Sequence, residues 1–276
     1  MTEKELEIKA CELKKQVLTM IYEAKTGHIG GDYSEMEALM LLYYKHLNLS
    51  PENVNDPNRD RFILSKGHCV ETLYAILADR GFFPQEDLKS FSQFGSAYIG
   101  HANNHVNGIE INSGSLGHGL AFADGMALAG KKSGAPYRVY VMMGDGECDE
   151  GSVWEGAMAA GHYHLDNLTA LVDRNRLQIS GSTEEVMTGD DMEQRFASFG
   201  WHVIKCEGNN FAAVDAAIAE AKRVKNKPTM IILETLKGNG ISFMENVAGW
   251  HHGVPTKEQY EQGMAELTAK EAEINE

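Results

Sequence analysis

The sequence predicts an α/β fold, a parallel sheet with helices on both faces, on three observations. Short apolar runs of strand length alternate with longer stretches of helical periodicity. The run before Gly144 is apolar for most of its length, as a strand covered on both sides is. The residues able to do chemistry gather just after those runs, where open parallel sheets bind ligands.

Each element follows from its local pattern. Leu6, Ala10, Leu13, Val17, Met20 and Ile21 form one stripe, which predicts a helix over 3–25 that stops at Thr26-Gly27. Ser34 is expected to cap a second helix reaching 47, and residues 48–58 read as a polar, proline-bearing loop. A short strand is expected at 61–65, a helix at 68–80, and a helix of small residues at 117–129. Strands at 138–143 and 167–173 enclose a helix that begins Gly151-Ser152-Val153-Trp154. Helices at 190–199 and 211–222 then accompany strands at 201–206 and 229–233, and 256–276 reads as a peripheral helix with a frayed end. With no repeat, low-complexity segment or linker, one domain is expected over 1–276.

Composition bounds the function. A chain of 276 residues with 43% hydrophobic content can bury one full core. A net charge of −15 argues against nucleic acid or a membrane surface as partner, because a phosphate backbone is held by clustered Lys and Arg. No apolar stretch approaches the ~20 residues that span a bilayer. Cys11, Cys69, Cys148 and Cys206 show no zinc or redox spacing, and no secretory signal opens the sequence, so reduced thiols in the cytoplasm are expected.

The densest chemistry is Gly144-Asp145-Gly146, followed by Asn175 and Leu177 just beyond the next strand. A carboxylate, an amide oxygen and a backbone carbonyl suit a hard cation such as Mg²⁺ or Ca²⁺ carrying a diphosphate. The glycines allow close approach of the backbone to phosphate. Ser65-Lys66-Gly67-His68 lies where a strand feeds a helix, a natural anion site, and Lys237 follows another strand. His28, His68, His101 and His252 sit in glycine-flanked or clustered loops, placing several proton carriers around one centre. A transition-metal cluster is the competing reading, but no His pair has a zinc context. His251 is expected to be structural or solvent-facing; His162 and His164 fall in the expected helix after the metal motif, and His105 has no assignment. The glycines of Gly114-Ser115-Leu116-Gly117 would admit a flat ring to the backbone.

In this order, from about His28 to Gly253, the motifs resemble the thiamine diphosphate site of the transketolase family. The resemblance implies the diphosphate-binding domain of that fold. Asp145, Asn175 and the Leu177 carbonyl would hold Mg²⁺, with Ca²⁺ or Mn²⁺ as substitutes. Lys66, His68, Gly146 and Lys237 would face the diphosphate, and Asn175 and His252 would also touch the cofactor. Gly114 would offer its carbonyl to the aminopyrimidine, with Leu116 and Ile179 against the rings. His28, His101 and His252 would move protons at the reacting carbonyl. The implied activity is transfer of a two-carbon ketol unit from a ketose phosphate to an aldose phosphate. A 1-deoxysugar phosphate synthase, a 2-oxo acid decarboxylating enzyme and a non-catalytic cofactor-binding subunit stay open. Complete family members add pyrimidine-binding and C-terminal domains, expected here on a separate subunit, two copies of each chain assembling; a truncated longer chain is the alternative. Ile29-Gly30-Gly31, Ala102 and His118 depart from the family pattern and leave the sugar undefined.

Overall fold

The computed structural model describes residues 1–188 and 191–276. Helix α1 (Glu3–Ala24) opens with a capping box, in which Thr2 and Glu5 satisfy each other's backbone N–H. Then follow α2 (Ile29–Leu41), β1 (Arg61–Leu64), α3 (Val70–Asp79), α4 (Gly119–Ser133), β2 (Val139–Gly144) and α5 (Gly151–His162). The second half runs β3 (Leu168–Arg174), β4 (Leu177–Gln178), β5 (Gly181–Ser182), α6 (Thr183–Val186), α7 (Met192–Ser198), β6 (His202–Glu207), α8 (Phe211–Ala221), β7 (Thr229–Glu234) and α9 (Lys257–Asn275).

Among the described residues five strands pair in parallel, in the order β1-β2-β3-β7-β6. Their apolar runs divide by the period of two. Tyr140, Met142, Leu171, Ile231 and Leu233 face a core shared with α1, α2, α3 and α8, while Val141, Met143, Val172, Met230 and Ile232 face one shared with α4, α5 and α7. Such side chains contribute about 1.5–3 kcal/mol each on full burial. Register sets the strand ends level: Gly144 stands beside Asp173, and Arg174 beside Glu234. The segments that leave β1, β2, β3 and β7 therefore emerge on one rim.

Three expectations change. Ser34 does not cap α2, which begins earlier, at Ile29, with His28 in the cap position. Gly30 and Gly31 read as loop because they are glycines, yet they are helical; a Cβ at Gly30 would lie 2.6 Å from Trp250 O, and one at Gly31 2.4 Å from Cys69 Sγ. The helix expected to reach 47 loosens into a π turn at Leu42–His46. His162 ends α5 and His164 lies past it in a left-handed turn with φ 51°. Asp190, where a helix was expected to start, lies outside the described residues, and α7 covers Met192–Ser198. No helix among the described residues is long and apolar enough to cross a membrane.

Candidate functional site

Four strand ends supply the floor of a cavity of about 390 Å³, lined by Lys66, His68, Asp145, Asn175, Lys237 and His251. Leu116, Gly146, Leu177 and Ile179 complete its wall. Asp145 follows β2 directly, and its carboxylate accepts from the backbone of Gly146 at 2.8 Å and of Arg176 at 2.5 Å. Arg176 adopts φ 65°, and this turn brings Asn175 and Leu177 back toward Asp145. Burial and the neighbouring Asp173 push the Asp145 carboxyl up to about 6. Among the described residues no three His, Cys, Asp or Glu side chains converge as a metal cluster.

Asp173, to which the sequence assigned no role, organises this floor. Its Oδ2 accepts from Ser34 Oγ at 2.6 Å, from Lys66 Nζ at 2.5 Å and from Asn175 Nδ2 at 3.1 Å, while Oδ1 accepts from the Thr235 hydroxyl. The contact fixes which way the Asn175 amide points, leaving Oδ1 to accept from Leu177 N–H at 3.1 Å. Burial opposes ionisation of Asp173, but Lys66 and the surrounding donors hold its carboxyl below the usual range. Burial likewise opposes the Lys66 ammonium, and Asp173 outweighs it, so Lys66 is held well above its ordinary value. Glu35 Oε2 also lies 3.2 Å from Lys66 Nζ, but burial pushes that carboxyl up whereas Asp173 is held down, so Asp173 is the stronger partner of Lys66.

This pairing changes what substitution of Lys66 should do. Lys66→Met strands a buried carboxylate and is expected to cost about 3–5 kcal/mol of stability. Calorimetric unfolding should show the midpoint falling by roughly 10 °C. A midpoint close to that of the unsubstituted chain would show that Lys66 serves ligand binding alone.

Lys237 is buried, which lowers its pKa; its Nζ donates to Leu177 O at 3.1 Å and to His251 Nδ1 at 3.3 Å. His251, expected to be structural or solvent-facing, is therefore part of the cavity wall. Its ring stacks on His68 with centroids 5.1 Å apart. His252 turns elsewhere: Nε2 lies 3.3 Å from Thr26 Oγ1 and its ring 4.7 Å from that of His28. His28 joins the cluster, 5.1 Å from His68 and 5.9 Å from both His101 and His251. His28, His101, His252 and Gly114 adjoin the cavity through these contacts without lining it. Gly114, at φ 124°, packs on His101, whose Cδ2 lies 2.5 Å from where a Cβ would sit.

Four of these imidazoles, His28, His68, His101 and His251, are held neutral first of all by burial. Burial, then the neighbouring rings and Lys237, push His28 down to about 3; burial and Lys237 push His251 down to about 4. Burial and Lys66 push His68 far down as well, and burial lowers His101. Neutral rings can donate an N–H or take up a proton, but bring no charge.

Two further contributors escaped the sequence reading. Glu147 ties three segments together, accepting from Gly117 N–H at 2.9 Å, from Gly144 N–H at 3.0 Å and from the Ser65 hydroxyl. The β4–β5 hairpin sets Ile179, 70% exposed, beside Val186 and Met187 at the cavity mouth. The only signals were an acid immediately after Gly-Asp-Gly and a pair of two-residue strands too short for periodicity to detect.

Known proteins are similar to this chain over most of its length. Residues 9–269 match the family model described as transketolase, thiamine diphosphate binding domain. The chain is 46% identical to an apulose-4-phosphate transketolase subunit of Phocaeicola vulgatus, over 96% of this chain and 94% of that one. It is 40% identical to a 6-deoxy-6-sulfo-D-fructose transketolase subunit of a Clostridium species, over 95% and 96%. The transketolase structure of Campylobacter jejuni superposes on 99% of it with a TM-score of 0.90 and 28% identity, and the chain spans 46% of that protein's length. These matches, over nearly the whole chain, place it in the transketolase family, as the domain that binds thiamine diphosphate.

Proposed function

We propose that this chain is the diphosphate-binding subunit of a split transketolase, moving a two-carbon ketol unit from a ketose phosphate to an aldose phosphate. The observation that carries the reading is the convergence of Lys66, Asp145, Asn175 and Lys237 on one cavity walled by neutral histidines. The similar subunits are named for apulose-4-phosphate and 6-deoxy-6-sulfo-D-fructose, which favours a ketose with an anionic group as donor. A partner subunit bearing the pyrimidine-binding and C-terminal domains, two copies of each chain, in the cytoplasm, completes the proposal. Unpaired Cys11, Cys69, Cys148 and Cys206 suit that compartment.

The residues present fit the cofactor and its metal. Asp145, Asn175 Oδ1 and Leu177 O form a set of oxygen donors suited to Mg²⁺, and a divalent cation would offset the burial that raises Asp145. Leu177 O accepts from Lys237, so a cation taking that oxygen would free the ammonium for the diphosphate. Lys66, His68 and the Gly146 backbone would contribute to the same anion site, and Asn175 and His252 would add cofactor contacts. Leu116 and Ile179 would pack on the rings, with the Gly114 carbonyl at the pyrimidine. Bound thiamine diphosphate supplies the electron sink for breaking and remaking the carbon–carbon bond. His28 and His101, neutral at pH 7, would accept the proton of a donor hydroxyl and return one to the product, while His252 would orient the substrate oxygen.

The test uses the complex with its partner, thiamine diphosphate and Mg²⁺. His28→Ala and His101→Ala should each lower kcat by about 10²-fold or more, with cofactor affinity little changed. Full turnover in both variants would remove them from the chemistry, and decarboxylation without ketol transfer would reassign the reaction.

A further inference from the structure

Behind His28 lie two carboxyl groups that the proposed chemistry does not use. Asp32 and Glu71 are both fully buried. Asp32 sits in the first turn of α2, and its Oδ1 accepts from Thr72 N–H, in the first turn of α3, at 2.9 Å. Glu71 sits in the first turn of α3, and its Oε1 accepts from the N–H of His28, the cap residue of α2, at 3.2 Å. Neither helix has a side-chain cap of its own. Each acid thus satisfies an orphan donor at the other's helix start, where the helix dipole favours negative charge. The remaining oxygens, Asp32 Oδ2 and Glu71 Oε2, are buried with no hydrogen-bond partner among the described residues, and the two carboxyls are near enough that each shifts the ionisation of the other. A proton on one carboxyl would give these two otherwise unpartnered oxygens a donor. The pair also abuts the turn that carries His28: a Cβ at Gly27, φ 156°, would lie 2.7 Å from Glu71 Oε1.

We propose that the Asp32–Glu71 acid pair is the positioning device for His28, holding its turn in place while the two carboxyls share one proton. The proposal rests on the reading of His28 as a proton-transfer group. Ionisation of both carboxyls would put two negative charges in contact and push the His28 turn off α3.

The surroundings offer no charge to relieve that repulsion. Lys66 is the cation facing Asp32, and it is already paired with Asp173. Glu35, on α2, is another acid, its carboxyl pushed up by burial, and brings no positive charge. The Cys69 thiol and the phenols of Tyr33 and Tyr74, also near the pair, are pushed up by burial and stay protonated. Lys237 bears on Cys69 and on the His28 ring, which is neutral. Burial pushes Asp32 up to about 7 and Glu71 well above the carboxylate range. Both folded values are raised, so the folded state holds the proton more tightly than the unfolded chain. The pair's contribution to stability is complete in acid and begins to fall as pH rises through about 7. The shared proton, and with it the positioning of the turn, is lost only at higher pH, when the second carboxyl ionises.

Histidine-labelled protein read by NMR tests this without cofactor or turnover, the His28 resonance being assigned with His28→Gln. His28 itself titrates near pH 3, so any movement of its signal in alkali reports its neighbours. In the unsubstituted chain the signal should move in alkali, above about pH 7, and in Glu71→Gln, which can still accept from His28 N–H but cannot ionise, it should stay still. In the complex with its partner, Glu71→Leu should lower kcat by about 10²-fold, the scale of a 1 Å misplacement. Glu71→Gln should recover most of that loss and flatten the alkaline side of the pH profile. A His28 signal that does not move in the unsubstituted chain, or moves equally in Glu71→Gln, overturns the proposal. A signal that follows the pair, with His28→Ala fully active, upholds the positioning and overturns the proton-transfer role alone.

Discussion

Asp145→Asn and Asn175→Ala are each expected to lose more than about 10²-fold in affinity for thiamine diphosphate with Mg²⁺, beyond the 10–100-fold typical of outer-shell changes at metal sites. Each removes one oxygen donor from the proposed cation set, and Asp145→Asn also removes its negative charge. Asparagine is the sharper replacement at 145, because its remaining oxygen can still accept from Gly146 or Arg176 N–H and keep the turn. The fold should survive. Burial raises the Asp145 carboxyl to about 6, so at neutral pH its charge costs the unliganded protein stability, and a neutral amide relieves that cost. Isothermal calorimetry on the complex, beside thermal unfolding of the chain alone, separates lost binding from lost structure. Unchanged affinity in both variants would show that the divalent ion is held elsewhere.

The second large effect concerns the polypeptide on its own. The 276-residue chain is expected to transfer no ketol group without a second polypeptide, and to regain full activity when that partner is added. The mouth of the cavity exposes Ile179, Val186 and Met187, at 70%, 41% and 60%, so a bound cofactor would stay in contact with water. Ketol transfer needs a site that excludes water, since solvent would quench the reactive species. Phe122 and Met158, on α4 and α5, are also half exposed, the kind of apolar surface a partner covers. The assay is a coupled aldose-acceptor reaction on protein shown by mass spectrometry to hold one polypeptide. Activity in that sample would overturn the split-site reading.

Much of the architecture was legible because its signals are local. The five strands of the sheet fall within a residue or so of the predicted runs, since burial makes the runs of β2, β3 and β7 largely apolar. The edge strand β6, which carries the exposed Lys205, still keeps Val203, Ile204 and Cys206. The α2 start was missed because Gly30 and Gly31 look like loop glycines, whereas packing against Trp250 and Cys69 is what excludes a side chain there. His251 and His252 show the same limit. Adjacent in sequence, they face different groups, Lys237 and Thr26, and nothing in their order says which turns toward the cavity.

The sequence by itself determined the alternation of elements, and with it a rim where Lys66, Asp145, Asn175 and Lys237 must meet, because a parallel sheet brings its strand ends to one side. Only the tertiary structure decided the charges. Whether Lys66 pairs with Asp173 or Glu35, whether the histidines are neutral, and whether Asp32 and Glu71 share a proton all depend on burial and on segments distant in the chain meeting within hydrogen-bond reach. Periodicity records which face of an element is apolar; it carries no record of the dielectric or the partner that a titratable group will find there.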